Sequence, residues 1–135
     1  MKTIKKFKYK YIAKITSVYD GDGAYDSVID MGMKLYIERK VRLYGIDTPE
    51  LKGKEKDAGK KVRNFVRELI LNKNVVLYTK KDKSGKYGRL LASIKLENGT
   101  DLAELLIAKK YAKLYLGGKK EKWTQSELHT IITSE

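Results

Sequence analysis

Five short stretches of this chain alternate apolar with polar residues, and one helix-period stretch stands between the third and the fourth. The first runs from Tyr9 to Val18, where Tyr9, Tyr11, Ala13 and Ile15 alternate against lysines and Thr16, as in a half-buried strand. Asp20-Gly21-Asp22-Gly23 then reads as a turn, because both residue types tolerate the backbone of a tight reversal. Ser27 to Asp30 is the second strand, and Met31-Gly32-Met33 is its exit. Lys34 to Tyr44 is the third, with Leu35, Ile37, Val41 and Leu43 on one face. The same parity turns Arg42 away from the core.

Ala58, Val62, Phe65, Val66, Leu69 and Ile70 recur at helical spacing, which predicts an amphipathic helix from about Asp57 to Leu71. Val75, Leu77 and Thr79 open a fourth strand, a charged loop is expected over Lys80 to Lys86, and Arg89 to Leu96 forms a fifth that a turn at Asn98-Gly99 closes. Asp101 with Glu104, and Thr124 with Glu127, have the spacing of helix-capping pairs and start two further helices. Three strands, a helix, two strands and two helices make an α+β chain that is mainly β. This is the order of a five-stranded OB barrel with about three helices. At 135 residues it is a single domain spanning 1–135.

Composition removes several kinds of chemistry. There is no cysteine, so disulfides, thiolate metal sites and a cysteine nucleophile are excluded. The only histidine, His129, lies near the end and is expected on the solvent side of a terminal helix. Catalysis by paired histidines or a histidine triad is excluded with it. Carboxylates, arginines, lysines, tyrosines and a bound metal remain. The net charge of +13 suits a polyanionic partner, and ten tyrosines favour nucleic acid, since a ring stacks on any base while lysine holds the phosphate. The apolar runs are too short to span a bilayer, and no membrane partner is expected. The lysines near Met1 lead into no apolar signal core, so the chain is expected inside the cell, or secreted with a signal already removed.

Three clusters carry possible chemistry. Asp20-Gly21-Asp22-Gly23 presents carboxylates that a hard cation would accept, although by itself it reads first as a hairpin turn. Arg42 followed by Gly45-Ile46-Asp47-Thr48-Pro49-Glu50 sets two acids on a stiff loop, because Pro49 forces Thr48 out of helical geometry. Two such acids can divide into a metal ligand and a general base. Lys86-Tyr87-Gly88-Arg89 places an arginine at a strand start, where it can grip a phosphate in bidentate fashion.

Taken together, the Asp-Gly-Asp loop, Arg-Leu-Tyr-Gly-Ile-Asp-Thr-Pro-Glu at 42–50, the helix, and then Tyr-Gly-Arg at 87–89 resemble the staphylococcal nuclease family across about Tyr9 to Tyr115. The resemblance implies a calcium-dependent phosphodiesterase acting on DNA and/or RNA, preferentially single-stranded, and a monomer. It also implies that Asp22, Asp47 and the Thr48 carbonyl hold calcium, with Asp20 assisting indirectly. Glu50 would be the general base that activates water, and Arg42 and Arg89 would neutralise the phosphate. Lys86 and Tyr87 would hold the nucleotide phosphate, with Tyr115 taken over Tyr111 as the second phosphate tyrosine.

The chain departs from the family pattern in places. Gly23 stands where threonine is usual, which would loosen the metal loop, and nineteen residues separate Asp22 from Arg42, a longer hairpin than the prototype's. Asp26 and Asp30 in that hairpin are expected to be solvated acids. The stretch Leu116 to Trp123 differs from the prototype and suggests no chemical role. Two other readings remain open: a non-catalytic OB barrel that only binds nucleic acid, and a basic module that recognises an acidic protein.

Overall fold

A computed structural model describes residues 9–84 and 88–134. Strands β1 (Tyr9–Val18), β2 (Tyr25–Asp30), β3 (Tyr36–Leu43), β5 (Asn74–Ser84) and β6 (Leu90–Lys95) close into one barrel in the order β1-β2-β3-β6-β5. All neighbours pair antiparallel except β3 and β6, which run parallel with Val41 opposite Leu90 and Leu43 opposite Ala92. Helix α1 (Lys56–Ile70) crosses between β3 and β5, and α2 (Leu102–Ala108) and α3 (Gln125–Thr133) follow the barrel. This is the five-stranded OB topology expected from the element order.

A second, two-stranded sheet pairs β4 (Ile46–Asp47) with β7 (Lys113–Leu114), and the Tyr115 N–H extends it by donating to the Gly45 carbonyl at 2.8 Å. Neither strand stands out in the sequence, since a two-residue element has no period to detect. Their pairing ties the chain that follows β7 to the end of β3.

The barrel interior and the inner faces of the helices form a single hydrophobic cluster. Ala13, Ile15, Val41, Leu43, Leu77, Ala92 and Ile94 fill it from the strands, and Ala58, Val62, Val66 and Ile70 close it from α1. At these positions alternation in the strands and helical spacing in α1 produce the buried faces they imply, whereas Tyr9, at the start of the first alternating row, is 42% exposed. Both caps form: Asp101 accepts from the Glu104 N–H at 3.0 Å, and Thr124 with Glu127 makes a full reciprocal box. His129 is exposed on α3, as expected.

Two expectations need correction. The fourth strand does not give way to a loop at Lys80 but continues to Ser84, which pairs with Leu90 across a bulge. The backbone ladder outweighs the low β-preference of a lysine-rich segment there. Leu35 and Ile37 do not share the buried face with Val41 and Leu43; they are 61% and 37% exposed, because the β2–β3 hairpin runs beyond the barrel it belongs to.

Candidate active site

At one end of the barrel the Asp20–Gly23 turn, the end of β3 and the loop after β4 meet. Their side chains line a cavity of about 310 Å³ that includes Asp20, Asp22, Arg42, Asp47, Thr48, Glu50 and Arg89. Residues far apart in the chain reach this place for local reasons. Leu43 N–H donates to the Asp22 carbonyl at 2.9 Å, which locks the acidic turn to the strand end. The Thr48 N–H donates to Asp22 Oδ2, also at 2.9 Å, and fixes the direction of that carboxylate.

Two glycines permit these approaches. A Cβ on Gly21 would stand 2.6 Å from Val62 of α1 and 3.0 Å from Thr48 Oγ1. On Gly23 it would stand 2.7 Å from Arg42 Cδ. Gly23 thus makes room for the Arg42 side chain, a reason tied to packing rather than to looseness of the turn. A third glycine, Gly59, lies within α1 where the Pro49–Glu50 backbone passes over the helix. A Cβ there would collide with the Glu50 carbonyl oxygen and stand 2.9 Å from that of Pro49. Glu55 adds a second restraint by accepting the Glu50 N–H at 2.9 Å.

Arg42 is held tightly. Nη1 donates to the carbonyls of Asp22 (2.9 Å) and Leu43 (2.7 Å), and Nη2 donates to that of Ile46 (2.9 Å) while lying 3.6 Å from Asp22 Oδ2. The guanidinium therefore joins three segments of backbone as well as facing the cavity. Arg89 lines the same cavity and a neighbouring one of about 390 Å³, which also contains Tyr44, Leu91 and Tyr115. The Glu50 side chain is more than half exposed, 3.8 Å from Lys52, with its carboxylate accessible to solvent.

The cavity floor concentrates negative charge. Burial, with the neighbouring charge of Asp22, pushes Asp20 up to about 7. Burial also lifts Asp47 above the ordinary carboxylate range, against the opposing pull of Lys120. Lys120 is held above the ordinary lysine value, since Asp47 and Asp22 outweigh the effect of its own burial. The Lys120 ammonium lies 3.2 Å from Asp47 Oδ1, and Asp47 Oδ2 accepts from Trp123 Nε1 at 3.3 Å, so each carboxylate oxygen faces a donor.

The donor set suits a hard cation. Its side-chain ligands are oxygens only, crowded enough to resist ionising together, and Thr48 Oγ1 is buried without a hydrogen-bond partner among the described residues. Among those residues no three His, Cys, Asp or Glu side chains converge on one point. An ion here would thus take Asp22 and Asp47 together with backbone and water oxygens.

Of the other expected site residues, Lys86 and Tyr87 lie outside the described residues. The two candidate tyrosines separate clearly. Tyr111 is a core residue at 2% exposure, edge-on to Phe65 at 5.3 Å, with its hydroxyl 2.6 Å from Ser134 Oγ. Tyr115 lines the neighbouring cavity and donates its hydroxyl to the Gly118 carbonyl at 3.1 Å. Sequence reasoning missed Lys120 and Trp123. Both come from the stretch to which it gave no role, and a lysine among glycines and lysines carries no pattern to single it out.

The class of this fold, nuclease-type or nucleic-acid-binding, follows from a family match and not from the barrel alone. Residues 40–132 match the family described as staphylococcal nuclease homologue, and the chain belongs to that family. It is also similar to the uncharacterized protein MJ1439 of Methanocaldococcus jannaschii, 29% identical over an alignment 130 residues long that covers 78% of this chain. The matched region is 60% of that relative's length.

Proposed function

We propose that this chain is a calcium-dependent phosphodiesterase that hydrolyses DNA and/or RNA, with single strands preferred. The observation that carries the reading is the gathering of Asp22, Arg42, Asp47, Thr48, Glu50 and Arg89 around one cavity, from four separate segments of the chain. Asp22, Asp47 and the Thr48 carbonyl would hold calcium, which when bound would supply positive charge beside the scissile phosphate. The Glu50 carboxylate is more than half exposed, with the Lys52 ammonium 3.8 Å away among the described residues, which suits it to take a proton from water as the oxygen–phosphorus bond forms. Arg89, with whatever donors Arg42 keeps free of its carbonyls, stabilises the charge that builds on the phosphoryl oxygens as the leaving bond breaks. Lys86, Tyr87 and Tyr115 are assigned to the bound nucleotide. The +13 charge supplies affinity without sequence preference.

A second reading, a barrel that binds nucleic acid without cutting it, draws on the three backbone carbonyls that already occupy Arg42. Single-turnover cleavage of a labelled oligonucleotide, with calcium and with excess chelator, separates the two. The phosphodiesterase reading expects cleavage that chelator abolishes and a rate lower by about two to four powers of ten in Glu50→Gln. Binding of an uncleavable nucleotide should be retained in that variant. Tight binding with no cleavage by the unaltered protein in calcium would establish the second reading instead.

A further inference from the structure

The segment 116–123 joins β7 to α3, and it is anchored at both ends. Tyr115 donates to Gly118 at one end, and at the other Trp123 donates to Asp47 and lies 4.8 Å beneath the Lys113 ammonium. Between these anchors Lys120 turns inward, with its ammonium 3.2 Å from Asp47 Oδ1. It lines both the acid-floored cavity and the neighbouring one that holds Arg42, Arg89 and Tyr115.

Asp22, the other carboxylate expected to hold the cation, is engaged by the Thr48 N–H and by Arg42. Asp47 differs, because its charge is met by one side chain that is 46% exposed and flexible to its tip. A divalent cation that takes Asp47 as a ligand meets that ammonium directly, and two positive charges cannot share one carboxylate oxygen without repulsion. The segment's anchors hold its backbone in place, so the side chain alone has to move. A second resting place is within reach, since Lys120 Nζ already lies 5.4 Å from the centre of the Tyr115 ring.

We propose that Lys120 is a tethered counter-cation of the carboxylate floor, which a divalent cation displaces from Asp47 toward the cavity it shares with Arg42 and Arg89. This rests on the calcium reading of the site. Once displaced, the ammonium joins two guanidiniums on the side where a phosphate would lie, so that cation entry and readiness for an anionic ligand are linked through one side chain.

Calorimetric titration of the nucleotide-free protein with calcium alone tests this, using the unaltered chain, Lys120→Met and Lys120→Arg. Lys120→Met should bind calcium about three- to tenfold more tightly, the range expected when one competing charge is removed from a partly exposed pair. Lys120→Arg, which keeps the charge, should stay within about twofold of the unaltered chain. Equal or weaker binding by Lys120→Met overturns the proposal and leaves the calcium reading intact. Failure of all three proteins to bind calcium overturns both.

Acetic anhydride labelling of the unaltered protein, read by mass spectrometry, gives a measurement independent of any substitution. Acetylation of Lys120 should rise severalfold when calcium is added, while that of Lys14, exposed on β1 and no part of the cavity lining, should not. Calcium-independent labelling of Lys120 in a protein that binds calcium overturns the proposal.

Discussion

Strand β3 has two ends with opposite surroundings. Near Leu43 it is enclosed: Val41 and Leu43 have no exposed surface, and Arg42 between them is bonded to three carbonyls. Near Tyr36 the same strand stands in solvent, with Leu35 61% exposed, Tyr36 58%, and Met33 in the preceding turn fully exposed. Both ends share one alternation of apolar and polar residues. Alternation determines which side chains share a face, but whether anything covers that face depends on where the neighbouring strands and helices stop.

The comparison is broken most directly at Arg42. Arg42→Met removes the group that joins the Asp20–Gly23 turn, β3 and β4, and it leaves Asp22 without its buried partner. We expect a loss of about 3 kcal/mol in urea unfolding. A loss below about 1 kcal/mol would make Arg42 a cavity residue rather than a clamp.

Gly59→Ala should have the next largest effect, because the Glu50 carbonyl occupies the space a methyl group needs. Alanine favours a helix by about 1 kcal/mol over glycine, whereas forcing backbone apart costs about 1–3 kcal/mol, so the net loss should be about 1 kcal/mol. If Glu50 is the base, kcat should fall by about tenfold or more with KM little changed, since a small displacement of a base affects the chemical step most. A stabilised variant with full kcat would show that the loop tolerates the shift.

At the open end the expectation is the reverse. Met33→Ser together with Leu35→Thr should change stability by no more than about 0.5 kcal/mol, because neither side chain is packed. A loss above 1.5 kcal/mol in thermal unfolding would mean that the hairpin is covered in solution.

The smallest effect concerns pH. Asp26 lies on β2 between the two ends, and its pKa is lowered by hydrogen bonds from Lys40 at 2.6 Å and Ser17 at 2.8 Å. A carboxyl whose folded pKa is depressed contributes stability above its unfolded value of about 3.9, and that contribution is lost as pH falls through the folded value. Both Asp26 and Lys40 are well exposed, so the contribution is about 0.3 kcal/mol and shrinks with salt. Asp26→Asn should flatten the acid limb of the stability curve below about pH 4 by that amount. An unchanged acid limb would remove the pair from the fold's stability.

The barrel was legible in the residues themselves. Ala13 and Ile15, Val41 and Leu43, Ala92 and Ile94 alternate because a strand's side chains alternate, and Val62, Val66 and Ile70 recur because a helix turns every 3.6 residues. The candidate site was legible where its residues sit on a strand end or a proline-stiffened loop, as Arg42, Asp47 and Glu50 do. Tertiary structure alone decided the rest. That Tyr111 packs on Phe65 while Tyr115 faces a cavity follows from the pairing of β4 with β7, two residues on each side, which has no signature in sequence. The same pairing carries the chain after Leu114 back over Asp47, and so brings Lys120 and Trp123 to a carboxylate more than seventy residues earlier. Local pattern records the period of a backbone, whereas the meeting of a charge with its partner depends on the closed path of the whole chain.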